Sequence, residues 1–175
     1  PCCRVEELNV ATVKLPGLTT GIFTGKYELM AGKDLSEKSA AAWKEVVRYI
    51  ESFLSADAYL LSAPMWNFSI PYTLKHYLDI IVQPRYLFRY TDKGVEGLAK
   101  NKKMAVVASR GGDYSQGSPM QSYDFQEPYL RAIFGFVGIT DIQFIIAQPM
   151  DMDKQLSGER LRQAGMLAQK IAKDF

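Results

Sequence analysis

The chain has 175 residues, enough for one domain with a sizeable core. Its composition is 47% hydrophobic and 23% charged, as in ordinary globular proteins, and a formal net charge of +2 is too small to argue for nucleic acid or an anionic membrane surface. No apolar run approaches the ~20 residues of a membrane span, and no run reads as a signal peptide.

The chain opens on Cys2 and Cys3. A disulfide framework needs spaced pairs, so adjacent cysteines predict free thiols and a reducing, cytoplasmic compartment. His76 is the single histidine. That count excludes a Cys/His metal cluster and argues against a Ser-His-Asp or Cys-His hydrolase.

Residues 4–10 alternate weakly and predict an outer strand. Residues 11–32 carry Pro16, Gly17, Gly21 and Gly25 with no clean period. They read as a long surface segment with at most one helical turn, at residues 27–31, and such a segment is functional or packs on a partner. Asp34 with Glu37 three residues on fits a capping box. A helix then places Trp43, Val46, Val47, Ile50, Phe53 and Leu54 on one stripe, with Lys44, Glu45, Arg48 and Glu51 opposite. Trp43 is expected in the core.

Residues 58–63 form a short apolar run and predict a buried strand, which stops at Pro64. The chain then opens into Met65, Trp66, Asn67 and Phe68 before a helix that starts near Pro71. Loops beyond the carboxyl ends of parallel strands are where α/β sheets bind ligands. Here Trp66 and Phe68 offer ring faces, Met65 a soft surface, and Asn67 both a donor and an acceptor for the edge of a heterocycle. Leu74, Tyr77, Leu78 and Ile81 stripe the helix, and His76 sits off the stripe, as a surface or interface residue.

Residues 83–101 predict an excursion, a small hairpin with a turn at Asp92, Lys93 and Gly94. Phe88 and Tyr90 either face a cleft or cover the hairpin's own base. Residues 103–109 form a second buried strand, running into Arg110, Gly111, Gly112, Asp113 and Tyr114. Two glycines there would let the main chain approach a ligand. A helix is expected from about Phe125, with Pro128 in its first turn and Gly138 as its C-terminal cap. Residues 141–147 predict the last strand. Ser157 is expected to cap a final helix carrying Leu161, Ala164, Ala168, Ile171 and Phe175. Alternating strands and helices mean an α/β fold, an open parallel sheet with helices on both faces.

Several of these motifs together resemble a known family. They are the run Pro64 to Pro71 followed by Leu74, Lys75 and Asp79; Phe88, Arg89 and Tyr90; Ser109 to Gly112; Pro128, Tyr129 and Leu130; and Gly135 to Asp141. In this order and spacing they resemble the FMN-dependent NADH:quinone oxidoreductases and azoreductases of the flavodoxin-like fold. The resemblance runs over residues 41–147. It implies a homodimeric, cytoplasmic flavoprotein that takes two electrons from NADH or NADPH onto FMN and delivers them to small quinones or azo compounds. It also implies that Pro64, Met65, Trp66, Asn67 and Phe68 hold the isoalloxazine. Ser109, Arg110, Gly111 and Gly112 would border the same ring, and Tyr114 lies where some relatives carry a His near it. Since the flavin carries the chemistry, no catalytic side chain is named. The family's central first strand and Ser-rich phosphate loop have no counterpart here, and residues 4–10 match its second strand. The expectation is a single domain over residues 1–175 without that strand, loop and first helix. The other readings are an FMN-binding electron-transfer module and an interaction domain without cofactor.

Overall fold

The computed structural model describes residues 4–175, apart from the side chain of Asp174, so the reading of Cys2 and Cys3 lies outside the described residues. Along the chain come α1 (Thr20–Met30), α2 (Glu37–Ser55), β1 (Ala58–Ser62), α3 (Tyr72–Ile81), the hairpin β2 (Phe88–Thr91) and β3 (Gly94–Gly97), β4 (Lys103–Ser109), a 3-10 turn (Gln121–Tyr123), α4 (Glu127–Val137), β5 (Asp141–Ala147) and α5 (Lys154–Asp174).

β1, β4 and β5 form a parallel sheet in the order β1-β4-β5, with Leu61 opposite Val106 and Val106 opposite Phe144. Side chains alternate across the sheet. Tyr59, Leu61, Met104, Val106, Ile142 and Phe144 point to one face, where they pack with Trp43, Ile50, Leu74, Leu78, Leu130 and Phe134 of α2, α3 and α4. Ala105, Val107 and Ile145 point to the other face and meet Ala164, Ala168 and Ile171 of α5. The predicted α/β architecture, with helices on both faces, is therefore present. α5 does not reach β1, whose Leu60 stays 73% exposed, and Leu161 and Phe175 of α5 are also exposed.

Residues 4–10 are not a strand. A strand is made by a neighbour that shares its hydrogen bonds, and among the described residues none pairs with this segment. Val5 accordingly stands in solvent.

Residues 20–30 form three turns of helix where the sequence predicts one at most. Ile22, Gly25 and Leu29 bury one side of α1 against α2, and the Trp43 indole N–H donates to the Ile22 carbonyl at 3.0 Å. Gly25 is the contact point: a Cβ there would lie 2.3 Å from Trp43 Nε1. The glycine that reads as a helix breaker is the notch that seats the tryptophan.

Two expected caps shift. Ser36, not Asp34, caps α2, its Oγ accepting from the Ser39 N–H at 3.4 Å. The acid that completes the cap is Glu28 of α1, which accepts from the Ser36 N–H at 3.1 Å. Asp34 is left in solvent beside Arg85. At the other end of α2, Lys102 Nζ donates to the Leu54 carbonyl at 2.9 Å and to the Ala56 carbonyl. Asp153, not Ser157, caps α5, accepting from Gln155 and Leu156 N–H groups at 2.9 and 3.2 Å. A carboxylate four residues upstream takes the orphan donors first, and Ser157 becomes an interior residue. The Gly138 cap is as expected, at φ 103°.

The hairpin answers the question of Phe88 and Tyr90. Phe88 is buried against Phe136, with ring centroids 4.7 Å apart, while Tyr90 is exposed and lines a shallow cleft of about 290 Å³ with Met30, Arg85 and Arg89. His76 is half-buried, its Nε2–H donating to the Pro16 carbonyl at 3.0 Å.

Candidate functional site

Beyond the carboxyl ends of β1 and β4 the sheet pairing runs on for two more bonds. The Ala63 N–H donates to Val107 O and the Met65 N–H to Ser109 O, each at 2.9 Å. The chain then reverses over residues 66–69, where the main-chain groups of Trp66 and Ser69 exchange hydrogen bonds of 2.9 and 3.0 Å. Both central residues have positive φ, 45° for Asn67 and 71° for Phe68. That is the dihedral pattern of a type I′ turn, which suits Asn but is strained for a bulky Phe.

The turn lifts chemistry to the surface. Trp66 is 55% and Phe68 37% exposed, and the Asn67 amide is exposed between them. Among the described residues no main-chain oxygen accepts from the N–H of Asn67 or Phe68. The Phe68 ring is steadied by Tyr123 at 5.1 Å and Tyr114 at 6.3 Å, and its carbonyl accepts from the Phe125 N–H at 3.0 Å. Tyr123 and Phe125, both half-exposed, extend the aromatic surface.

The second loop lies alongside. Ser109 is exposed at the end of β4, and Tyr114 is half-buried beside Phe68. The space beside the two glycines is already filled. A Cβ on Gly111 would lie 2.3 Å from Asp151 Oδ2, and one on Gly112 would lie 3.2 Å from the Tyr114 hydroxyl. These glycines admit protein neighbours. Arg110 also turns inward and is 2% exposed. Its guanidinium pairs with Asp124 at 2.8 Å and donates from Nε to Gln126 Oε1 at 3.0 Å. Pro64 is exposed and Met65 half-buried at the base of the turn.

The structure thus brings Pro64 to Phe68, Ser109 to Gly112 and Tyr114 to one end of the sheet. Four residues there were missed by the sequence reading: Tyr123, Asp124, Phe125 and Gln126. Tyr123 and Asp124 end a polar stretch that reads as loop, Phe125 and Gln126 open the expected helix, and only Asp124, three residues before the helix, carries a capping signal. Asp124 Oδ1 accepts from the Gln126 and Glu127 N–H groups at 3.0 and 3.1 Å. Ring faces, an exposed amide and unused main-chain donors on a rigid turn fit a planar heterocycle with a polar edge. Among the described residues no cluster of His, Cys, Asp and Glu could hold a metal ion.

A family model described by the flavodoxin-like fold matches residues 1–169. The FMN-dependent NADH:quinone oxidoreductase of Nitratidesulfovibrio vulgaris (strain Hildenborough) is 41% identical over 145 residues, which are 83% of this chain and 69% of its own. The one of Desulfotalea psychrophila is 35% identical over 176 residues, 100% of this chain and 82% of its own. An azoreductase from Bacillus anthracis superposes with a TM-score of 0.87 at 29% identity, covering 97% of this chain and 81% of its own. An FMN-dependent NADH-azoreductase from the same species, solved in complex with FMN, gives 0.78 at 27% identity over 94% of this chain and 79% of its own. This chain belongs to the family that carries the flavodoxin-like fold.

Proposed function

We propose that the chain is an FMN-dependent oxidoreductase that passes two electrons from NADH to quinones or azo compounds. The relatives that bear these names cover most of the chain, and the site has the groups such a reaction asks of a protein. The single observation that carries the reading is the turn at residues 66–69. It exposes two aromatic rings around one amide at the carboxyl end of a parallel sheet.

FMN, when bound, supplies the redox chemistry. The chain's own part is to hold and orient it. In this reading Pro64, Met65, Trp66, Asn67 and Phe68 seat the ring system, with Asn67 reading its polar edge. Ser109, Gly111, Gly112 and Tyr114 border it from the second loop, and Arg110 contributes from beneath through its protein partners. The Trp66, Tyr123 and Phe125 faces keep water from one side of the site and leave an apolar surface for a flat acceptor.

The proposal extends to a cytoplasmic homodimer. Among the described residues no helix is long and apolar enough to cross a membrane. Phe23, Tyr27 and Met30 form an exposed stripe on α1, and Tyr90, Tyr123 and Phe125 are exposed as well, apolar surface that a second copy of the chain would cover.

The test is a visible absorption spectrum of the purified protein before and after anaerobic NADH. The expected result is a flavin spectrum that bleaches with NADH and returns on adding a quinone. A flavin spectrum that NADH leaves unchanged would replace this reading with an electron-transfer module. A colourless protein that takes up no added FMN would remove the cofactor altogether. Light scattering of the same sample at micromolar concentration should give twice the chain mass of 19.7 kDa.

A further inference from the structure

We propose that Arg110 is a positioning residue. Through Asp124, Gln126 and Gln148 it locks the two strand-terminal loops against each other and so sets how Trp66, Asn67 and Tyr114 meet their ligand. The inference rests on the site reading above, and goes beyond it by giving Arg110 no direct contact with the cofactor.

The geometry is that of a hub. The Arg110 side chain is 1% exposed, and a charge so deep needs a counter-charge and hydrogen bonds. Asp124 Oδ2 supplies the charge at 2.8 Å, Gln126 Oε1 accepts from Nε at 3.0 Å, and Gln148 Oε1 lies 3.4 Å from Nη1. Each partner then reaches a different part of the site. Gln126 donates from Nε2 to the carbonyl of Ala63, at the root of the first loop, at 3.1 Å. Gln148 also accepts from the Tyr114 N–H, in the second loop, at 3.3 Å. Between Asp124 and Gln126, the Phe125 N–H holds the carbonyl of Phe68. The stretch 123–126 is therefore a strap across both loops, and Arg110 is its anchor.

The cost of this arrangement argues for a purpose other than stability. Buried ion pairs are often no better than the apolar packing that could replace them. Here Nη2 is buried with no partner among the described residues, so the guanidinium is not even fully satisfied. What the guanidinium offers is a rigid planar fork that binds several acceptors at fixed angles. A lysine offers the same charge without that fork.

Arg110→Lys is therefore the discriminating variant. In hydrogen–deuterium exchange on the purified protein without added flavin, residues 64–69 and 110–115 should both exchange about tenfold faster or more. On titration with FMN, the variant should bind about tenfold more weakly and lose most of the visible circular dichroism of the bound ring. Ile171→Ala, which loosens the α5 cluster away from the loops, should lower the melting temperature and leave both readouts unchanged. Gln148→Met keeps the ion pair and removes the link to Tyr114, so exchange should rise at residues 110–115 and not at 64–69. Loops that exchange at wild-type rates in Arg110→Lys would overturn the proposal. If that variant does not fold, Gln148→Met with uniform protection would overturn it. A wild-type protein that binds no FMN would sink the site reading, while the exchange experiment would still decide whether the hub couples the loops.

Discussion

Asn67 and Phe68 hold a conformation that most residues avoid, and the strain has a direction. Each left-handed non-glycine residue costs about 1 kcal/mol or more, least for Asn, whose short amide tolerates the region. A turn tip of Gly would be easier to form. Asn67→Gly is therefore expected to leave stability unchanged or to raise it by up to about 1 kcal/mol. It should also weaken FMN binding, because the exposed amide is gone. Chemical denaturation and an FMN titration on the same sample check both halves, and a marked loss of stability would contradict the strain argument. The aromatic run and its Asn were legible in the sequence because ring faces and an amide need no folding to be recognised. The burial of Arg110 was not, because in sequence it only opens a glycine-containing loop at a strand end. Its burial is set by Asp124 and Gln126, which are 14 and 16 residues away and come near only in the folded chain. The packing beside Gly111 is hidden in the same way, since Asp151, which lies against it, is distant in the chain.

Among the elements, those with a strong periodic pattern and a buried face were legible. β4 and β5 run over the residues their apolar patterns mark, and α2 carries its predicted stripe with Trp43 at 0% exposed. α1 was hidden because its stability is tertiary. Two glycines lower its helix propensity, its N-terminus has no side-chain cap, and one side rests on Trp43. This makes Gly25→Ala informative. By propensity alone the change would stabilise the helix by about 1 kcal/mol. The packing decides otherwise. The added methyl would lie 2.3 Å from Trp43 Nε1 and 2.9 Å from Leu35 Cδ2, and the fully buried, hydrogen-bonded indole has nowhere to go. Overpacking of this kind costs about 1–3 kcal/mol, so the expected outcome is a net loss of stability with a red-shifted, more exposed Trp43 emission. A Gly25→Ala protein more stable than the parent would show that α1 is not seated on Trp43.

At the scale of the whole molecule, stability should have an acid limb and an alkaline limb with different owners. On the acid side, Glu28 is held below the usual carboxylate range, chiefly by the Ser36 main-chain N–H that it accepts. Glu96 is lowered by its hydrogen bonds to Lys100 and then Arg89, and Asp113 by those from the Ser115 hydroxyl and N–H. A carboxyl whose folded pKa is depressed binds fewer protons folded than unfolded. Its contribution is fully present above the ordinary carboxylate pKa and is lost as pH falls through the lower, folded value. The three groups are solvent-facing and screened, so the limb should be gentle. On the alkaline side, burial pushes the Tyr77 hydroxyl up to about 12 and raises that of Tyr59 as well. A phenol whose folded pKa is raised keeps its proton longer when folded. Its contribution is present below about pH 10 and is lost as pH climbs towards the folded value. The melting temperature should then be flat from about pH 6 to 9, fall gently below about pH 5, and fall more steeply above about pH 10. Glu28→Gln should lower the plateau and flatten the acid limb alone, because it removes the charged acceptor that ties α1 to the start of α2. Tyr77→Phe should flatten the alkaline limb alone. Circular-dichroism melts of the parent and both variants across this range separate the two, and a variant that alters the opposite limb would refute the assignment.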